Sequence, residues 1–148
     1  MNTLRTLFLL GGILMLMTPS LALAKDLTVT VTDIDTSRPG QIMVMYYGED
    51  GFPKDHAKAI SIQTQNVSEN TKTMRFQFNI DRESFAFKIL HDEDMTGEVG
   101  KNWTGIIPSE GLGFSNGATL GFGPPSFEKA VLQTNETGAE IIIPIIYP

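Results

Sequence analysis

Hydrophobic and polar residues alternate along much of the chain. In "DLTVTVTDI" the apolar Leu27, Val29 and Val31 are separated by Thr28, Thr30 and Thr32, and in "TMRFQFNI" Met74, Phe76, Phe78 and Ile80 are separated by Arg75, Gln77 and Asn79. A period of two places each apolar set on one side of a strand, so both segments predict strands with one buried and one wet face. The runs "QIMVMYYG", 41–48, and "FAFKILH", 85–91, are rich in β-formers but apolar on both faces, as central strands are. Weaker strand signals cover "AISIQTQ", 59–65, "FEKAVLQT", 127–134, and "AEIIIPIIY", 139–147. Pro144 cannot donate to a sheet ladder, which places the last of these at an edge or a bulge. Turn residues punctuate the runs at 38–40, 48–53, 66–70, 81–84 and 135–138. Helical spacing is confined to a turn or two around Lys54–Ala59. The pattern predicts an all-β fold, a single β-sandwich of the immunoglobulin or transthyretin-like kind with about seven strands; an open barrel is the competing architecture.

One segment departs from this rhythm. From Asp92 to Ser126 neither period is clear, and eight glycines occur, at 97, 100, 105, 111, 113, 117, 121 and 123. Connections longer than about fifteen residues are uncommon in compact domains unless functional or disordered. This stretch also holds Trp103, Ile106, Ile107, Leu112, Phe114 and Phe122, which is too much apolar surface for a solvated linker. We therefore expect one long, Gly-rich, ordered loop folded over one end of the sandwich.

Residues 1–24 carry a basic head at Arg5, an apolar run from Leu7 to Met17 that is too short to span a bilayer, and small residues at Ala22 and Ala24. These are the marks of a cleavable signal peptide, leaving residues 25–148 as one β-sandwich domain that is secreted or periplasmic. No membrane span is expected after cleavage. There is no cysteine, so neither disulfides nor a cysteine-linked lipid contributes. Removing the leader takes away one basic residue, leaving ten basic against seventeen acidic residues and a net charge of −7. That surface repels phosphate backbones and anionic lipid, which argues against nucleic acid and membrane surfaces as partners and makes cations the natural small ligands.

"GFSNG", 113–117, fits the G-x-S-x-G pattern of a nucleophile elbow. An elbow needs an entering strand, a leaving helix, and an acid and a histidine further along. His56 and His91 both precede Ser115, so we read the match as an accident of a glycine-rich loop whose glycines serve tight turns with positive φ. The stretch "HDEDMTGEVG", 91–100, is sharper. Asp92, Asp94 and Thr96 at alternate positions, followed by Gly97 and the carbonyl of Glu98, match the first half of a calcium loop, since a hard cation wants six to eight oxygens. The second half does not match, because Gly100 and Trp103 occupy the remaining ligand positions. A distant carboxylate such as Glu110 would have to close the shell. The competing reading is an acidic, solvated turn.

The order strand, "HDED" turn, "GIIPSEGLGFSN" and "FGPPSF" resembles the secreted bacterial proteins of domain of unknown function family 2141. The resemblance implies a signal peptide, a β-sandwich and an Asp/Asn-rich turn that looks like a calcium loop. It implies no activity. It maps Asp92, Asp94, Thr96 and Gly97 onto that turn, and Pro108, Glu110, Gly111, Gly113, Phe114, Ser115 and Asn116 onto the motif after it. The chain departs from the family at Gly100, where an aspartate is frequent, and at Leu112, where an aromatic is usual.

His91, in phase with Phe85, Phe87 and Ile89, should point inward as a satisfied core-margin histidine, and His56 should lie on the surface. Trp103, the single tryptophan, should plug the loop onto the sandwich; exposed, it would offer a flat face to a sugar ring. Asp92 and Glu110 could form a glycosidase pair, but acidic pairs are abundant in any acidic protein and sequence does not set their separation. The candidate calcium ligands are thus Asp92, Asp94, Thr96 and Glu98, and the candidate ligand surface is Trp103, Glu110, Phe114, Ser115 and Asn116. The expected function is an exported, non-enzymatic envelope or extracellular module with weak calcium binding and an unidentified protein or glycan partner. The alternatives are a calcium-dependent carbohydrate-binding module and an enzyme with an acid/base pair in the 92–126 loop.

Overall fold

The computed structural model describes residues 24–148, so the expected leader lies, apart from Ala24, outside the described residues. Eight strands form: β1 (Lys25–Thr32), β2 (Gln41–Tyr47), β3 (Ser61–Asn66), β4 (Met74–Ile80), β5 (Ser84–Asp92), β6 (Gly111–Phe114), β7 (Leu132–Gln133) and β8 (Glu140–Pro144). They build an all-β sandwich. One sheet has the order β4-β1-β8 and the other β3-β2-β5-β6, with β7 paired to the start of β5. Among the described residues no helix is long and apolar enough to cross a membrane.

Alternation decides which way each strand faces. Leu27, Val29 and Val31 of β1 and Met74, Phe76, Phe78 and Ile80 of β4 point at the other sheet, where they meet Ile42, Val44, Tyr46, Phe85, Phe87 and Ile89 in the main core. The two central strands, apolar on both faces, also bury their outer side. Met43, Met45, Tyr47 and Leu90 form a second cluster with Leu112 and Phe114, and Phe52, Val99 and Ala118 pack over it. The 92–126 segment thus covers the outer face of the larger sheet rather than an end of the sandwich. Within it lies β6, where the sequence pattern predicts loop. The stretch 127–134, expected as a strand, holds a single helical turn (Phe127–Ala130) and only two residues of β7.

The edges of the two sheets are tied together. On one side Leu112 and Ile146 exchange backbone hydrogen bonds of 3.0 and 2.9 Å, so the chain leaves the small sheet after Pro144 and touches β6. A proline fits at this departure because no ladder bond is asked of its nitrogen. On the other side Gln63 and Gln65 of β3 donate their amides to the carbonyls of Gln77 and Arg75 on β4, at 2.5 and 2.9 Å. Both strands are sheet edges, and the glutamines occupy acceptors that an exposed edge would offer to another chain.

Gly111 and Gly113 are required by this crossing and not by turn geometry; the expectation of positive φ is met at Gly97, Gly105 and Gly117 but not at these two. A Cβ on Gly113 would lie 2.6 Å from the Pro144 carbonyl, and one on Gly111 would lie 2.4 Å from the Tyr147 ring. Gly117, at φ +65°, turns the chain just after β6. Gly113→Ala is expected to destabilise the fold by about 1–3 kcal/mol, because the clashing atom is backbone and the strand must shift. Urea unfolding followed by circular dichroism measures it.

Candidate functional site

Along β5 the outward positions are Lys88, Leu90 and Asp92, so two charged side chains point into the covered face of the larger sheet. The antiparallel register of β5 with β6 pairs His91 with Gly111. Continued by one residue, it sets Asp92 opposite Glu110. Ligand oxygens of Asp92, Asp94 and Glu110 lie within 4.8 Å of one another, and Asp92 and Glu110 are buried.

Backbone N–H groups hold these carboxylates in place. Asp92 accepts from the amides of Thr96 and Gly97, both at 3.0 Å, and from the Gln41 side chain at 2.8 Å. Glu110 accepts from the Glu93 amide at 2.8 Å and the Gly100 amide at 2.6 Å, which clamps the start and the middle of the loop to one side chain. A side chain on Gly100 would crowd that carboxylate, with its Cβ 3.1 Å from the acid oxygen. Asp94 accepts from the Thr96 hydroxyl at 2.7 Å and from its amide at 3.2 Å, and these bonds hold its carboxyl below the usual carboxylate range. Among the described residues none of the three acids pairs with a basic side chain, and Arg38 is taken by Asp35 and Glu93.

The proposed ligands therefore divide. Asp92, Asp94 and Thr96 share one turn, and the Glu98 carbonyl lies 3.4 Å from the Thr96 hydroxyl. The Glu98 carboxylate is exposed and turned away, 4.0 Å from His56. Glu110, ten residues beyond Gly100, completes the group through β6.

Next to the acids sits a buried base. Lys88 donates to the Pro53 carbonyl at 2.9 Å and to His56 Nε2 at 2.7 Å, and His56 Nδ1 lies 2.7 Å from the Gly97 carbonyl. With Lys88 donating to Nε2, the imidazole proton is on Nδ1 and points at Gly97. His56 is therefore a covered link between β5 and the acidic turn, and not the surface residue expected from sequence. Nothing in its immediate sequence, "KDHAK", signalled this; the inward lysine on an otherwise apolar strand was the available clue. Burial pushes the Lys88 amine down to about 8, an effect that the Glu98 carboxylate partly offsets.

The candidate ligand surface does not hold together. Phe114 and Ser115 are buried. Ser115 accepts from the Phe87 amide at 2.9 Å and donates to the Ala130 carbonyl at 2.6 Å, so it braces β5 against the helical turn and presents no nucleophile. Asn116 is exposed, with its amide on the Lys129 carbonyl at 3.2 Å. Trp103, expected as a buried plug, is 96% exposed, because the loop reaches its apolar cover through Val99 and projects the indole beyond it. His91 is buried as expected, its two nitrogens meeting the Tyr147 hydroxyl at 2.7 Å and the Pro39 carbonyl at 2.9 Å. An apolar groove lined by Leu112, Phe114, Leu120 and Ile146 lies among other residues than the acids.

This geometry defines a class: a two-sheet β-sandwich whose larger sheet carries a cross-strand acid pair under a long β5–β6 connection. The family described as uncharacterized protein conserved in bacteria (DUF2141) matches residues 29–142, and the chain belongs to it. No curated protein and no solved structure matches the chain.

Lys88 makes stability depend on alkaline pH. Between pH 8 and 10 the folded chain has released a proton that the unfolded chain, with an ordinary lysine near 10.5, still holds. Stability therefore rises with pH through this window. Tyr46 and Tyr47, pushed up to about 12 by burial, and Tyr147, also raised by burial, act in the opposite sense as the pH nears and passes 10, the ordinary phenol value, and offset part of the lysine's contribution at the top of this window. The unfolding free energy is expected to rise on the order of 2 kcal/mol from pH 8 to 10. Lys88→Met should lack that slope, as urea titrations at the two pH values will show.

Proposed function

We propose that this chain is an exported, non-enzymatic binding module of the bacterial envelope or exterior, in which calcium held by the acidic group fixes the β5–β6 connection. The observation that carries the calcium reading is the convergence of Asp92, Asp94 and Glu110 without a basic partner among the described residues. Asp92 Oδ1 and both Glu110 oxygens each accept a single amide and keep a lone pair, and the Thr96 hydroxyl and Glu98 carbonyl add neutral oxygens at the same turn. The amide donors already stabilise the negative charge, so the affinity belongs with the weak, extracellular range of calcium modules. Export is supported by the basic, apolar and small-residue succession over residues 1–24. The non-enzymatic reading is supported by the fixed roles of the reactive groups: Ser115 braces two elements, and Asp92 and Glu110 are buried and clamped by amides.

Differential scanning calorimetry with calcium or chelator tests the metal. With a Kd of roughly 10⁻⁴–10⁻³ M, about 10 mM calcium should stabilise the fold by about 1.5–3 kcal/mol. The stabilisation should vanish in Asp94→Ala, whose exposed side chain the fold does not need, and in Glu110→Gln. A melting midpoint that ignores calcium would reject the reading.

A further inference from the structure

We propose that the tip of the β5–β6 connection, residues 101–108, inserts into the interfacial layer of a lipid bilayer. The inference rests on the reading of the chain as an exported binding module and is independent of the calcium ion.

The tip is a small preformed hairpin. Lys101 and Pro108 bridge its base, and the Ser109 amide donates to the Gly100 carbonyl at 2.9 Å below them. Asn102 donates its amide to the Ile107 carbonyl at 2.8 Å, and its carbonyl accepts from Gly105 at 2.9 Å. Its side-chain oxygen takes the Thr104 amide and hydroxyl and the Ile107 amide, while the Ile106 amide faces the Thr104 hydroxyl. Five of the six backbone N–H groups from Asn102 to Ile107 are thus satisfied inside the loop. This closure lowers the cost of moving the tip's backbone from water into the less hydrated interfacial layer.

The side chains are turned the other way. Trp103 is 96% exposed, Ile106 78% and Ile107 53%, and "NWTGII" carries no charge. Tryptophan favours the boundary between headgroups and acyl chains, and the exposed Lys101 at the foot can extend its ammonium to lipid phosphates. A protein partner fits less well. The tip is convex, and one indole with two isoleucines offers on the order of a few hundred Å², against about 800 Å² per partner in a stable interface. A sugar would need free hydrogen-bonding side chains beside the ring; Asn102 and Thr104 flank Trp103, but the Asn102 oxygen and the Thr104 hydroxyl are engaged with each other and with loop amides. The chain is acidic overall, so apolar insertion and not bulk charge must drive the contact. Phosphatidylcholine vesicles should therefore bind more tightly than vesicles enriched in phosphatidylglycerol.

Trp103 is the single tryptophan and so reports on its own burial. Adding phosphatidylcholine vesicles to the full mature chain should move its emission to shorter wavelength, brominated acyl chains should quench it, and the protein should float with the vesicles. Ile106→Ser combined with Ile107→Ser keeps the reporter and should weaken partitioning at least about tenfold, with the far-ultraviolet spectrum unchanged. Four outcomes overturn the proposal: emission and flotation unaffected by vesicles of either composition; undiminished binding by the double variant; a blue shift that follows protein concentration without lipid, which marks a second copy as the partner; or a shift with soluble oligosaccharides alone. Calcium titration without lipid reads the acidic group separately, so failure of one reading leaves the other standing.

Discussion

The constraint on which this structure depends is that β2 and β5 are apolar on both faces. One face is buried by the small sheet. The other would leave Met43, Met45, Tyr47 and Leu90 in water, and each such side chain is worth about 1.5–3 kcal/mol when covered. Two connections meet this need. The 48–60 loop brings Phe52, and the chain after β5 brings Val99, Leu112, Phe114 and Ala118. The long Gly-rich segment is ordered because the sheet beneath it needs a cover.

Covering that face also takes charges out of water. Lys88 and Asp92 stand two positions either side of Leu90, and both are buried by the same cover. Their compensation differs in kind. The lysine finds a carbonyl and an imidazole; the aspartate finds two amides and a glutamine. Among the described residues no buried side-chain nitrogen or oxygen lacks a hydrogen-bond partner. The two solutions meet at Gly97, whose carbonyl receives His56 while its amide serves Asp92. The acidic turn is thereby fastened to the strand at both ends, which gives the loop beyond it a rigid base.

From that base the connection separates into two parts with different surroundings. Residues up to Gly100 and from Ser109 are tied to Glu110 and β6. Residues 101–108 close on themselves and carry their apolar side chains outward. Within this tip the exposed side chains stand on a backbone that is already hydrogen-bonded.

Alternation alone determined β1 and β4, and the doubled apolar faces of β2 and β5 determined that these two are central, because a period of two follows from strand geometry whatever the partners. The acidic turn of Asp92, Asp94 and Thr96 was equally legible, since its ligand spacing is local. What only tertiary structure decided was β6. Its four residues, "GLGF", alternate a large apolar residue with glycine and not with a polar residue, because the two glycines are selected by the close passage of Pro144 and Tyr147. The register of that strand brings Glu110 opposite Asp92. The exposure of Trp103 was hidden for a related reason: a side chain's burial depends on where its backbone is anchored, and these anchors, Glu110 and Asn102, act on backbone amides whose partners no residue pattern records.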